Sequence, residues 1–382
     1  MEKIYFDHGS TSFPKAPGVA EAVSHLLAHG AFNINRGNYE GAYEVADQVL
    51  QTRELLAELF HARDSRQVVF NSGITCSMNQ FLKGFLRPGD HVITTGMEHN
   101  AVMRPLCQME TMGITYDMAP VDDCGNLDPR DVEKLIRPET RAVVMLHASN
   151  VCGTVMPVEA VGKVCRQHGI YFAVDTAQSA GTMDVDMEKC SIDFLGFTGH
   201  KGLLGPQGIG GFLISDRLDR EMIPLLAGGT GSQSDSLSQP EFLPDKYESG
   251  TMNLPGIVGL HAALTYLKET GIENCRQRKM ELTGYFLRGL EALDGVKVIG
   301  EPGIKNRTAV VSVDLPGKDN AVAAFTLEQE YGIMTRVGLH CAPMAHRSLG
   351  TYPEGTIRFA FGEWNTKAEI DGCIRALDVI SR

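Results

Sequence analysis

The chain has 382 residues, a formal net charge of -12 and a sequence pI near 5.5. That balance argues against a nucleic-acid binder, which shows a basic face or stripe. Charges or Gly/Pro interrupt every apolar run before the roughly 18 residues that a membrane-spanning helix needs, and the length suits one large domain plus a smaller one, each with its own core. The opening Met-Glu-Lys-Ile-Tyr-Phe-Asp lacks a basic region followed by an apolar one, so no signal peptide and a cytoplasmic location are expected. Nine cysteines are scattered without CxxC pairs, which predicts neither a disulfide framework nor a metal site.

Taken in chain order, short apolar runs predict strands over Gln67 to Asn71, His91 to Thr95, Ala142 to His147, Tyr171 to Asp175, Phe194 to Thr198 and Gly210 to Ile214. Helical patterns fall between them at Tyr43 to Phe60, Cys76 to Phe85, Val102 to Met112, Asp131 to Ile136 and Val158 to His168. Such alternation implies βαβ units and a mostly parallel sheet. Residues 228–246, rich in Gly, Ser, Gln and Pro, read as a long polar loop, and loops of that length are usually functional or mobile. Helices follow from Pro255 and from Arg276 to Leu293, then strands at Val296 to Ile299 and Ala309 to Val313. A helix over Asn320 to Tyr331 and a last one near Thr366 to Ile380 complete a smaller α+β block.

Two of these runs end in groups that carry chemistry. Asp175 closes Tyr171-Phe172-Ala173-Val174, and Lys201 follows Phe194-Leu195-Gly196-Phe197-Thr198-Gly199-His200. In an open α/β sheet both reach the crevice at the carboxyl ends of the strands, where ligands bind. A lysine for a Schiff base and an acid for the pyridinium nitrogen are what pyridoxal 5'-phosphate (PLP) requires. A surface lysine and a strand-end aspartate satisfy the spacing equally well. Asn71-Ser72-Gly73-Ile74-Thr75 lies between a strand and a helix, where backbone N–H groups and the Thr75 hydroxyl can cradle a phosphate, although an ordinary capped helix start reads the same way. His99, in Glu98-His99-Asn100, is placed to stack on a flat ring or to move a proton.

Together these motifs, with Ser149-Asn150-x-x-Gly153-Thr154 and Asp175-x-x-Gln178-Ser179, give a sequence that resembles the class V branch of fold-type I PLP enzymes, and within it the cysteine desulfurases and selenocysteine lyases. The resemblance runs from Tyr5-Phe6-Asp7-His8 to the last helix. It implies a PLP-binding large domain over 15–258, with a mostly parallel sheet of the seven-stranded type. A small α+β domain would be formed from 1–14 and 259–382. It further implies that Lys201 carries the cofactor covalently and that Asp175 pairs with the ring nitrogen. His99 would stack on the ring, Asn150 and Gln178 would touch its face and phenolic oxygen, and Gly73, Ile74, Thr75, Thr198 and His200 would hold the phosphate. Thr251, in Glu248-Ser249-Gly250-Thr251-x-Asn253, would reach the phosphate of a neighbouring subunit, which implies a homodimer with shared active sites.

The same resemblance marks Cys341, in Arg336-Val337-Gly338-Leu339-His340-Cys341-Ala342-Pro343, as the sulfur-accepting thiol. By composition alone Cys341 reads as one more buried thiol, and the nucleophile must be the thiolate, which a neighbour such as His340 would have to favour. Arg358 would grip the substrate carboxylate through two parallel charge-assisted hydrogen bonds; from the residues alone it reads as a solvated strand-end charge. Asn35 and Arg36 align with a segment that admits substrate in relatives. The implied activity is that of a sulfurtransferase of sulfur metabolism: L-cysteine (or L-selenocysteine) as substrate, L-alanine as product and a persulfide on Cys341, the sulfur then passing to a thiol acceptor such as a sulfur-acceptor protein. Selenocysteine lyase, another PLP C–S lyase and a class V aminotransferase are the alternatives, as is a non-catalytic protein on a PLP fold. Asp7-His8-Gly9-Ser10-Thr11 stands where many relatives have Asn-Ala-Ala. Thr176 and Thr198 replace common Gly and Ser, and the segment around Cys341 is compact.

Overall fold

A computed structural model describes residues 3–34 and 37–382. Asn35 and Arg36 therefore lie outside the described residues.

Seven strands form the central sheet, in the order Val68–Asn71, Gly210–Ile214, Phe194–Thr198, Tyr171–Asp175, Thr140–Leu146, His91–Thr95, Thr115–Ala119. Only Gly210–Ile214 runs against the others, pairing antiparallel with both of its neighbours. The inner strands are buried along their whole length, except that Thr140–Leu146 is buried only from Ala142 onward, as a sheet covered on both faces demands. Alternate residues of one strand feed opposite cores. Val143, Met145, Phe172 and Val174 pack with the helices Glu40–Leu59, Val158–Gln167 and Leu254–Thr270. Val144, Tyr171, Ala173 and Phe194 pack with Ile74–Phe85 and Asn100–Glu110.

A second, antiparallel sheet of Arg336–Gly338, Thr356–Ala360, Val310–Asp314 and Lys297–Ile299 builds a third core with helices Ile272–Leu290, Asn320–Tyr331 and Lys367–Ser381. The last helix opens on a capping box between Thr366 and Glu369. Near the start of the chain, Ile4–Tyr5 pairs in parallel with Ile333–Met334, and Asp7 bridges to Ala360. This draws residues 4–12 onto the second sheet and toward the central one, where Ser12 N–H donates to the His200 carbonyl at 2.9 Å.

The strands expected over Tyr171 to Asp175, Phe194 to Thr198 and Gly210 to Ile214 form with those bounds. Helix Val19–His29 and the edge strand Thr115–Ala119 were not expected. Only Ala119 of Thr115–Ala119 is buried, so the strand lacks the continuous apolar run that marks its neighbours. Arg358 is not a solvated strand-end charge: it sits in mid-strand in Thr356–Ala360 and is 2 % exposed. Among the described residues no helix is long and apolar enough to cross a membrane.

Candidate active site

The carboxyl ends of the parallel strands gather nearly all of the candidate residues. Asn71 ends the first strand and leads into Ser72-Gly73; Thr95 is followed by Glu98 and His99; Leu146 by the turn containing Asn150. Asp175 and Thr198 are themselves strand ends, and Lys201 comes three residues later. A crevice is expected along this edge of an α/β sheet.

At Gly73 the backbone takes φ +128°, which favours glycine. A Cβ there would come 3.2 Å from Thr198 Oγ1. Helix Ile74–Phe85 starts at this point, and Gly73 N–H donates to Asn71 Oδ1 at 2.8 Å. The first-turn N–H groups are left for a ligand, and their dipoles favour an anion. Thr75 is exposed beside them, whereas the Ile74 side chain is buried in the core. Only the backbone of Ile74 is therefore available to a phosphate. Thr198 is buried, and His200 Nδ1 is buried without a hydrogen-bond partner. Burial, followed by the Lys201 and Lys15 charges, lowers the His200 pKa to about 4, so its ring is neutral near pH 7.

Asp175 is 5 % exposed; its Oδ1 accepts from Ala177 N–H at 2.8 Å. Burial raises its pKa, against the pull of the Ala177 N–H and the Lys201 ammonium. Among the described residues no hydrogen bond or ion pair engages the Lys201 amine. Burial, offset in part by Asp175, lowers the pKa of that amine to about 8. A half-neutral amine near pH 8, free of protein partners, is poised for carbonyl chemistry. His99 caps helix Asn100–Glu110 by accepting Ala101 N–H at Nδ1, 3.0 Å away, which places its proton on Nε2. Burial first, then nearby cations headed by Lys201, lowers its pKa to about 4. Behind it Glu98 is fully buried, accepts from Thr95 Oγ1 at 2.6 Å, and is pushed up to about 8 by burial.

Gln178 donates to the Gly9 carbonyl at 2.9 Å, beside a pocket that Lys201, His8, Thr182 and Lys279 also line. Thr251 does not line that pocket. It is exposed in the loop before helix Leu254–Thr270, on a groove shared with Ser72, Cys76 and Asn253.

Arg358 Nη1 donates to the Asn150 carbonyl at 3.0 Å, and Nη2 to Asp7 Oδ1 at 2.9 Å and Ser10 Oγ at 2.7 Å. A Cβ on Gly9 would lie 3.1 Å from the guanidinium carbon, so glycine is what lets the loop close over it. Nε of Arg358 and Oδ1 of Asn150 are buried without partners. Asp7 and Ser10 have no role in the sequence reading; the Asp7-His8-Gly9-Ser10-Thr11 motif was the available signal, but it gives no hint of a partner in the second sheet.

Cys341 is exposed and not one more buried thiol. His340 does not help it as a cation. His340 is buried, and burial pulls its ring far below the usual imidazole range, so it is uncharged.

An acid and a free amine at neighbouring strand ends, a glycine-cradled helix start and orphaned polar atoms at Asn150 and His200 fit a phosphorylated heteroaromatic cofactor. Comparison with known proteins agrees. Residues 4–372 match the family described as Aminotransferase class-V, and the chain belongs to that family, whose members in general use PLP. A protein of Methanothermobacter thermautotrophicus named probable cysteine desulfurase is 31% identical over 97% of this chain and 92% of its own length. The apo structure of a cysteine desulfurase from Thermococcus onnurineus superposes with a TM-score of 0.92 at 31% identity, covering 99% of this chain and 94% of that one. An Escherichia coli cysteine desulfurase in its S-sulfonic acid form gives a TM-score of 0.89 at 28% identity, with the same coverage. The α/β fold with its mostly parallel sheet is that of fold-type I enzymes.

Proposed function

We propose that this chain is a PLP-dependent cysteine desulfurase that converts L-cysteine to L-alanine and leaves the sulfur on Cys341 as a persulfide. The observation that carries the reading is the placement of an exposed thiol and a buried guanidinium on one residue: Asn150 accepts from Arg358 and donates to the main chain at His340. A group that can take a carboxylate and a group that can take a sulfur are thereby held on the same support.

Asp175 would hold the cofactor's ring nitrogen, His99 would lie against the ring, and Asn150 and Gln178 would meet its phenolic side. Gly73, the Ile74 backbone, Thr75, Thr198 and His200 would hold the phosphate, with Thr251 supplied by a second copy of the chain in a homodimer. When bound, PLP supplies an electron sink for charge developing at the substrate Cα. Arg358 orients the substrate by its carboxylate. Lys201, with an amine that is largely deprotonated above pH 8, moves the Cα proton. The Cys341 thiolate attacks the substrate sulfur; the substrate C–S bond breaks, an S–S bond forms, and protons return to the carbon skeleton. One sulfur atom has then passed from cysteine to the enzyme with no external oxidant, and a thiol acceptor takes it onward. The products test this. Alanine and sulfide in equal amounts under a thiol reductant support the reading, and pyruvate in place of alanine refutes it in favour of a C–S lyase.

A further inference from the structure

Two consecutive non-glycine residues of the thiol segment are left-handed, His340 at φ 48° and Cys341 at φ 57°. Such backbone persists only where its surroundings over-determine it. The His340 side chain is 6 % exposed, with Nε2 3.0 Å from Thr356 Oγ1. Thr356 Oγ1 donates to Ser312 Oγ at 3.1 Å, and Ser312 Oγ donates to the Val151 carbonyl at 2.6 Å. The direction of this chain is forced. A carbonyl only accepts, so the Ser312 proton is committed to Val151, the Thr356 proton to Ser312, and Thr356 must accept from the imidazole. His340 thus carries its proton on Nε2, and its Nδ1 lone pair is buried without a partner.

The main chain is clamped as well. Asn150 Nδ2 donates to the His340 carbonyl at 2.7 Å, and Asn100 N–H, in the first turn after His99, donates to the Cys341 carbonyl at 2.8 Å. Asn150 lies in the turn after Thr140–Leu146 and Asn100 opens the helix that follows His91–Thr95, both at the sheet edge that carries Asp175 and Lys201. The His346 ring, 5.4 Å from His340, is occupied elsewhere, with Nδ1 on Thr351 Oγ1 at 2.7 Å.

We propose that His340 is a positioning residue for sulfur transfer: its imidazole, tied through Thr356 and Ser312 to the Asn150 segment, holds Cys341 in the left-handed conformation that offers its thiol to the substrate sulfur. This rests on the desulfurase reading. His340 acts as a neutral hydrogen-bond donor, through the backbone it shares with Cys341.

The test uses the PLP-loaded enzyme and two variants. His340→Phe keeps a ring but removes the N–H, while Thr356→Val removes the acceptor and leaves His340 in place. We expect kcat to fall by about tenfold or more in His340→Phe and by a smaller factor in Thr356→Val, with KM for L-cysteine within about threefold of wild type. The visible absorbance of bound PLP should be unchanged, and the rate of iodoacetamide alkylation at the Cys341 peptide, read by mass spectrometry without L-cysteine, should change by at least about threefold in both. Wild-type kcat and alkylation rate in both variants overturn the proposal. If His340→Phe does not fold, the same two wild-type values in folded Thr356→Val overturn it. Absence of a Cys341 persulfide in the wild-type enzyme sinks the desulfurase reading separately, and the alkylation rates still decide whether His340 sets the thiol.

Discussion

Arg358 and Asp7, 351 positions apart in the chain, form an ion pair of 2.9 Å at the mouth of the candidate site. The guanidinium is almost wholly buried, with 3 % of its side chain exposed against 17 % for Asp7. A substrate carboxylate must therefore share or displace a partner that is already seated. Asp7→Asn removes the competing charge, and KM for L-cysteine should fall severalfold while stability drops by about 1–3 kcal/mol. Arg358→Ala should raise KM at least tenfold and destabilise by about 3 kcal/mol, since it strands Asp7 in a partly buried site. Steady-state kinetics and denaturant unfolding read both. A KM that rises in Asp7→Asn would show that the aspartate helps to bind substrate instead.

The Lys201 amine sets a pH dependence. Burial lowers its pKa to about 8, with Asp175 pulling the other way. The free amine that attacks a carbonyl loses about tenfold for each unit below that value, so attachment of PLP to the apoprotein should climb with pH and level off above about 8. The stability effect has the same sign. Between about 8 and the ordinary lysine value near 10.5 the unfolded chain binds a proton that the folded chain does not, so stability rises with pH across that window. An attachment rate still climbing tenfold per unit at pH 10 would contradict the lowered value.

Cys341→Gly separates the thiol from the backbone that presents it. At φ 57° glycine relieves steric strain, although it also frees the unfolded chain, so the net change should stay within about 1 kcal/mol of wild type. Desulfuration should nevertheless be abolished. Thermal or denaturant unfolding beside an alanine assay checks this, and a loss above about 3 kcal/mol would mean that the side chain packs structurally.

Arg53 and Glu248 form a two-pronged pair, Nη1 to Oε1 at 2.9 Å and Nη2 to Oε2 at 2.6 Å, with both side chains 8 % exposed. Glu248 also accepts the Phe70 N–H at 2.6 Å, which fastens the Ser249-Gly250-Thr251 turn to the sheet edge beside Gly73. Glu248→Ala should cost about 3–5 kcal/mol, because it leaves a buried guanidinium uncompensated. In the proposed dimer it should also weaken PLP retention, through misplacement of Thr251. A change below 0.5 kcal/mol by denaturant titration would show that the pair is not what holds the turn.

What the sequence showed plainly were continuous apolar strands with chemistry at their ends. Tyr171–Asp175 and Phe194–Thr198 need no partner to be recognised, because a strand buried on both faces writes its own pattern, and that pattern placed Asp175 and Lys201 on one edge. Thr115–Ala119 was missed for the opposite reason: an edge strand with only Ala119 buried has no such run. The Arg358 pair was invisible because it depends on Ile4–Tyr5 adding to Ile333–Met334, a contact across the whole chain that no local period encodes. His340 misled, since a histidine next to a cysteine reads as a group that favours the thiolate, and only the folded chain shows its ring buried and neutral.

The most direct test of the account is a single turnover of the PLP-loaded enzyme with L-cysteine and no reductant, followed by mass spectrometry of the Cys341 peptide. The account predicts that this peptide gains one sulfur atom for each alanine formed, that Lys201→Ala gives neither product, and that Cys341→Ala gives no persulfide. Alanine or pyruvate released at the wild-type rate by Cys341→Ala would contradict it.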